Sequence, residues 1–267
     1  SYSGYYESSW FAGLAYIYKT ELIEINEIFE IYTTSSYWNA FPRSPMVMDI
    51  NYFGENYIII NNHFKCCGDG IIDFDDDSDE EYRRYLAINF IKEYIDNNFP
   101  ERNVIVLGDL NDDIVEELPN NIFQNILNDS LNYRFADLEI AHGNSSEWSF
   151  PNWPSHLDHI LITDELFTFV NYAQVQTIQI DHYLDGGWSE YDQNISDHRP
   201  VAIKISSDYV MSHDVNEDGV INNSDLSTLL DFVVSGIDLV EQADINLDSF
   251  VDVYDLLILA DFLQQGN

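Results

Sequence analysis

Asn103-Val104-Ile105-Val106-Leu107-Gly108-Asp109-Leu110-Asn111-Asp112 runs an apolar stretch straight into a polar cluster. Residues 103–107 read as a short strand of the type buried on both faces. The Gly-Asp-Leu-Asn that follows is a common turn and helix cap. Upstream, residues 79–99 read as a helix. Acidic residues open it, Ile88, Ile91 and Ile95 share one face, and Pro100 follows its end. Residues 45–53 and 56–64 read as two strands of a hairpin joined at Gly54-Glu55, and residues 21–32 alternate as a half-buried strand does. Downstream, residues 157–163 and 200–205 read as further strands. Strands mixed with few helices imply a layered α/β sandwich.

The chain has 267 residues, 45% of them apolar and 15% aromatic, so it has material for a sizeable core. Global disorder is excluded, and no stretch has the length of apolar sequence that a membrane-spanning helix needs. Acidic residues number 48 against 10 basic, for a net charge of −38. Such a field repels polyanions and attracts divalent cations, and it also suits solubility in salty or calcium-rich water. Tight passive binding of nucleic acid is disfavoured, since that depends on Lys and Arg neutralising phosphates. A phosphate approached through a metal remains open. The first residues show no basic region or apolar signal core, so no secretory signal is visible, and Ser1 stands where an initiator Met would, so the chain is expected to be a fragment or to have lost a leader.

The two cysteines are adjacent, Cys66-Cys67. Sequence neighbours rarely form a disulfide, and a disulfide framework is excluded. Zinc ligation by the pair stays open, with a spacing unlike the usual structural sites. Cys66-Cys67-Gly68-Asp69-Gly70 reads as a tight loop near the His63 strand. The acidic run from Asp73 to Glu81 reads as a solvated loop whose last acids favour the helix N-terminus. A structural Ca²⁺ is its other reading. Trp148, Trp153 and Tyr183 read as packing residues, with a substrate groove as the alternative.

Composition shifts near Ser206-Ser207. From Asp208 onward lie 13 acidic residues and no Lys or Arg. The expected domains are therefore 1–206 and 207–267. The tail repeats at an offset of 30 residues: Asp214-Val-Asn216-Glu-Asp218-Gly219-Val220-Ile-Asn222 is echoed by Asp244-Ile-Asn246-Leu-Asp248-Ser249-Phe250-Val-Asp252. A calcium loop needs oxygens at set positions of a twelve-residue turn. The first copy offers Asp214, Asn216, Asp218, the Val220 carbonyl, Asn222 and Asp225. The second offers Asp244, Asn246, Asp248, the Phe250 carbonyl, Asp252 and Asp255. Gly219 suits the sharp bend better than Ser249, so weaker binding is expected in the second copy. Two such loops, each followed by one helix, resemble a type I dockerin module. The resemblance implies a small all-α calcium-binding module, a secreted protein and a cohesin partner. Asn223-Ser224 and Val253-Tyr254 stand at the partner-reading positions and differ between the halves. A calcium-stabilised tail without a partner is the rival.

Four polar clusters border the strands of the first part. They are Asn62-His63-Phe64-Lys65, Gly108-Asp109-Leu110-Asn111-Asp112, Leu157-Asp158-His159-Ile160 and Ser196-Asp197-His198-Arg199-Pro200. Together, in this order, and with Phe41-Pro42-Arg43-Ser44-Pro45, they resemble the endonuclease/exonuclease/phosphatase superfamily, the fold of deoxyribonuclease I. The resemblance extends over nearly all of residues 1–206. It implies a four-layer α/β sandwich, incomplete at the N-terminus, with a site where loops meet at one end of the sheets. By resemblance, Asp197 is a ligand of Mg²⁺ or Mn²⁺, His198 contacts phosphate or acts as general base, and Asp158 orients His198. Asp109 and Asn111 position water and phosphate oxygens, His63 donates to those oxygens or to the leaving group, and Arg43 contacts phosphate. The family's metal-binding Asn and Glu would precede residue 1, with residues 5–19 as its next strand.

The expected function is an extracellular metal-dependent phosphodiesterase of endonuclease type acting on nucleic acid. Arg43, Lys65 and Arg199 are among its few approach cations. A small-substrate phosphatase or lipid phosphodiesterase is the alternative, and an inactive calcium-binding or docking protein is the second.

Overall fold

Alternation of side chains along each strand decides which way it faces. The computed structural model describes residues 2–7, 13–52, 54–170, 174–205, 213–216, 218, 220–235, 243–245 and 250–264. The strands are β1 (Tyr2–Glu7), β2 (Leu14–Lys19), β3 (Ile23–Glu30), β4 (Met46–Tyr52), β5 (Glu55–His63), β6 (Asn103–Asp109), β7 (Tyr133–Phe135), β8 (Asp158–Thr163), β9 (Gln174–Thr177) and β10 (Val201–Lys204). The α-helices are α1 (Glu80–Asn98), α2 (Gln124–Leu127), α3 (Leu138–His142), α4 (Phe167–Val170), α5 (Gly187–Asn194), α6 (Asn223–Ser235) and α7 (Val253–Gln264). The chain divides into two units: Ser1–Phe167 with Val175–Ile203, and Thr168–Gln174 with Lys204–Asn267.

The first unit is built on a six-stranded sheet of order β3-β4-β5-β6-β8-β7. The pair β5–β6 is parallel and its neighbours are antiparallel. A parallel pair needs a crossover connection, and α1 supplies it. On one face Val47, Ile58, Ile60, Val104 and Val106 pack with Ile88, Ile91 and Ile95 of α1. Each such burial stabilises by about 1.5–3 kcal/mol. The intervening residues Met46, Met48 and Ile50 face the other way and pack with Leu14 and Tyr16 of β2. The Tyr16 hydroxyl lies 2.7 Å from the Met46 carbonyl and 2.9 Å from that of Ile59, and it accepts the Asn61 N–H. This ties β2 to the sheet through polar as well as apolar contacts.

The helix α1 is set at its start by the Asp79 carboxylate, which accepts the Tyr82 N–H at 2.7 Å. Glu80 and Glu81 follow in the first turn, where the helix dipole favours negative charge. At the other end the Phe99 N–H donates to the Ile95 carbonyl, and Pro100 has no N–H to continue the ladder. The acidic run before α1 is exposed over residues 73–78, held by local turns in which, for example, Asp73 accepts the Asp75 N–H. Glu81 departs from the expected solvation. It is buried, and its Oε1 accepts the Gly70 N–H at 2.6 Å.

Residues 5–19 are not one strand. They contribute to β1 and β2, which pair antiparallel with Tyr2 opposite Lys19. The four-layer expectation is met in its coarser form, a mixed α/β unit with a central sheet. The other described strands form two two-stranded sheets, β1-β2 and β10-β9, so no second sheet of comparable width occurs among the described residues.

In the second unit, α6 and α7 pack through Leu229 and Leu259 with Val215, Ala243 and Ile245. The boundary at 206–207, Gly219, Asn246, Asp248 and Ser249 lie outside the described residues.

Ile91 is fully buried between α1 and the sheet. Ile91→Ala should lower the unfolding free energy by about 2–5 kcal/mol, read from urea denaturation.

Candidate active site

Strand register gathers the first three site residues. His63 ends β5 and is the register partner of Asp109, which ends β6. Asp109 is in turn the register partner of Asp158, the first residue of β8. The three stand in a row along one end of the sheet. The ladders run one residue past the strands, with the Phe64 N–H donating to the Asp109 carbonyl and the Leu110 N–H to the Leu157 carbonyl, each at 2.9 Å. Gly108 is required here. Its φ is +129°, and a Cβ would collide with the Asn62 carbonyl of β5.

The fourth piece arrives on the Ser196–Pro200 loop. The His198 Nδ1 lies 2.7 Å from Asp158 Oδ2. The Asp109 Oδ2 is 3.6 Å from the His63 Nε2 and 3.9 Å from the His198 Nε2. His63, Asp109, Asn111, Asp158, Asp197 and His198 line one cavity of about 660 Å³. Asn111 sits at φ +56°, a conformation that asparagine tolerates better than most residues. Its amide donates to the Phe64 carbonyl at 3.2 Å. Arg43 is not part of the lining, yet its charge lies near enough to bear on His63.

The electrostatics differentiate these groups. Burial, then the charges of Arg43 and His198, push the His63 pKa down to about 4, so it is neutral at pH 7. Burial, then the neighbouring Asp158 charge, raises Asp109 to about 6. Burial opposes a charge on His198, but the bond to Asp158 and the carboxylates of Asp109 and Asp197 outweigh it and raise its pKa. Asp109, Asp158 and His198 can bring one ligand atom each within 4.8 Å of one another. Such a set of oxygens and one imidazole nitrogen suits a divalent cation, which would also relieve the crowding of negative charge that raises Asp109.

Several positioning residues escape the sequence motifs. Buried Ser149 accepts the N–H groups of Leu157 and Asp158 on its Oγ, and its carbonyl accepts the Arg199 N–H at 2.7 Å. It therefore joins the Asp158 strand to the His198 loop. The Phe150 ring lies on the His198 imidazole with centroids 4.8 Å apart. A lone Ser-Phe pair far from the histidine carries no signal in sequence. Asp137 was equally silent. It is buried and accepts from His156 at 2.9 Å, His159 at 2.7 Å and the Ile160 N–H at 2.8 Å. Burial works against its charge, but the two imidazoles hold its pKa well below the usual range. This second carboxylate–histidine group braces β8 behind Asp158.

Three expectations are corrected. Arg199 is no approach cation. It is buried and bidentate to Asp181, at 2.9 Å and 2.6 Å. Lys65 pairs with Glu80 at 3.6 Å. Trp148 does donate its indole N–H to the Ile140 carbonyl, but Trp153 and Tyr183 are largely exposed rather than packed, and neither lines the His198 cavity.

A mixed sheet with its polar cluster at the ends of β5, β6 and β8 is a fold shared with solved structures. The chain is similar to D. rerio TDP2 complexed with a single-strand DNA product, with a TM-score of 0.55 and 13% identity over 78% of each chain. It is also similar to a D. rerio TDP2 humanized by 14 mutations, with a TM-score of 0.51 and 13% identity over 75% of this chain and 74% of that one. At this identity the fold is what is shared. No protein-family model matches the chain, and no curated protein matches it by sequence.

Histidine NMR should resolve the two imidazoles. His198 should titrate above the ordinary value of about 6.5 and His63 near 4, so acidification protonates His198 first. In Asp158→Asn the His198 pKa should fall. An unchanged value would separate His198 from Asp158.

Proposed function

We propose that the chain hydrolyses phosphoester bonds in the cavity at the sheet end. The observation that carries this reading is the 2.7 Å Asp158–His198 bond facing Asp109 and His63 across one cavity. His198, with its pKa raised, presents Nε2 to a phosphoryl oxygen and stabilises the charge that develops there. Asp158 accepts from Nδ1 and so fixes the tautomer and the ring orientation. Asp109, ionised at pH 7 yet more basic than a free aspartate, takes the proton of the attacking water. Neutral His63 donates a hydrogen bond to phosphate or to the leaving oxygen, and Asn111 orients the same oxygens. The Arg43 charge adds to the attraction for phosphate. A divalent ion of the Mg²⁺ or Mn²⁺ kind would supply further neutralisation of phosphate charge; Asp197 lines the same cavity and is its proposed ligand, beside the Asp109, Asp158 and His198 group.

The substrate reading is phosphodiester cleavage in nucleic acid, and the TDP2 complex with its single-strand DNA product is a precedent in this fold. One observation favours a small phosphomonoester or a lipid phosphodiester instead. Arg84, Lys92, Arg102, Arg199 and Lys65 are all spent on carboxylates, which leaves little basic surface for a polyanion. Plasmid nicking set against hydrolysis of para-nitrophenyl phosphate separates the two, and hydrolysis of the monoester alone would reject the nuclease. His198→Ala should lower turnover about 10²–10⁴-fold with the circular dichroism spectrum unchanged. Full retention of activity would overturn the role given to His198.

For the second unit we propose Ca²⁺ in both loops, in a dockerin-like module of a secreted protein that docks on a cohesin-type partner. Asp225 accepts the N–H groups of Asn216 and Asn222, and Asp255 accepts those of Ile245 and Asp252, so the last carboxylate of each repeat ties together two points of the described backbone before it. Asp214, Asp225, Asp244 and Asp255 are buried in a segment without Lys or Arg. Buried carboxylates are costly without a cation, and calcium answers that need. Chelation of the full chain should speed amide exchange in α6 and α7 and leave α1 protected. Equal protection with and without calcium would remove the metal from these loops.

A further inference from the structure

We propose that Cys66 and Cys67 form a reversible modification site at the rim of the cavity, closing to a vicinal disulfide when a small-molecule disulfide is present. Both thiols are exposed and both line the cavity that holds His63, Asp109 and His198. Their sulfurs are 2.9 Å apart. A disulfide needs about 2.05 Å, so the sulfurs must close by roughly 0.9 Å, which is 2.9 − 2.05. Adjacent cysteines rarely pair because an extended backbone sends successive side chains to opposite faces. Here the backbone has already left that form. Cys67 sits at φ +73° and Gly68 at φ +111°, and both sulfurs point the same way.

The surroundings assign the two thiols different parts. The Cys67 thiol donates to the Cys66 sulfur, and the Lys65 ammonium lies 3.9 Å from that same sulfur. Cys66 is therefore the attacking group and Cys67 the resolving one. The hydrogen bond to Cys66 also pushes the Cys67 pKa up, so Cys67 keeps its proton until the second step. In the first step the Cys66 thiolate attacks one sulfur of the small disulfide, forming a mixed disulfide and expelling one thiolate. In the second, Cys67 loses its proton and attacks the Cys66 sulfur, expelling the other thiolate. Two protein thiols are oxidised, one small disulfide is reduced to two thiols, and an excess of reductant reverses both steps.

Arg84 connects the pair to the site. Its Nη1 donates to the Lys65 carbonyl at 3.0 Å and the Cys67 carbonyl at 2.6 Å, and its Nε donates to Asp112 Oδ2 at 2.8 Å. Closing the ring turns the Cys66–Cys67 peptide and draws the Cys67 carbonyl off the guanidinium. The loop after β5 and the loop after β6 then lose part of their common anchor, one residue beyond Asn111. The thiol chemistry stands apart from the hydrolytic reading and is tested without any substrate.

The test treats the full chain with oxidised glutathione, maps its peptides without reduction, and measures amide exchange. The expected product is a Cys66–Cys67 peptide lighter by two hydrogens, restored by dithiothreitol. Exchange over residues 109–113 should quicken several-fold while the centre of α1 holds. In Cys67→Ser the reaction should stop at a glutathione adduct on Cys66. Unmodified thiols, a glutathione adduct as the end product of the unaltered chain, or a disulfide-linked dimer would overturn the proposal. A disulfide with unchanged exchange at 109–113 would overturn the coupling through Arg84.

Discussion

The close approach of β6 to β5 at Gly108 is the constraint on which the site depends. Only a residue without a Cβ lets the chain pass the Asn62 carbonyl and still keep parallel register. That register sets His63 beside Asp109, and the antiparallel register of β6 with β8 sets Asp109 beside Asp158. A slip of one residue would turn every side chain to the opposite face and scatter the three. Apolar residues along the same strands hold the register, with Ile58, Ile60, Val104, Val106 and Leu161 in the core on one side of the sheet and Tyr57 and Ile59 on the other. The packing of the sheet and the geometry of the site are therefore one arrangement.

Crowded negative charge is put to use at the sheet end and neutralised elsewhere. At the sheet end, burial and then the nearby Asp158 charge make Asp109 more basic, while Asp158 is spent on orienting His198. Behind them, Asp137 is compensated by two imidazoles and a backbone N–H. Further out, buried guanidinium groups take up Asp112 and Asp181. Removing either arginine would strand a carboxylate in a poorly solvated place, which costs far more than the net worth of the pair.

Most of the sheet was legible in the sequence because its signals are local. The apolar run at 103–107, the alternation at 21–32, the hairpin signal at Gly54-Glu55, and the acidic start of α1 with Pro100 beyond its end each announce an element within a few residues. The cluster around His198 was legible as a set of short motifs in a familiar order. What joins those motifs was hidden. Ser149, Phe150 and Asp137 act through tertiary contacts over roughly ten to fifty residues, and nothing in their own neighbourhoods marks them. Residues 5–19 misled for a related reason: apolar and aromatic residues fill both arms of the β1-β2 hairpin, so the stretch reads as a single strand. Arg199 misled because a surface cation and one buried against Asp181 look alike until the chain is folded.

The crossover through α1 also governs the order of assembly. His63 and Asp109 stand 46 residues apart in sequence (109 − 63), and His198 joins from 89 residues further on (198 − 109). A β4–β5 hairpin can close early, since its loop is short, whereas the parallel β5–β6 pairing must wait for a long loop to be drawn in. The residues at the sheet end are thus among the last to find one another. A nascent or partly unfolded chain keeps its hairpins and has no assembled site, so the cavity chemistry is confined to molecules that have finished folding.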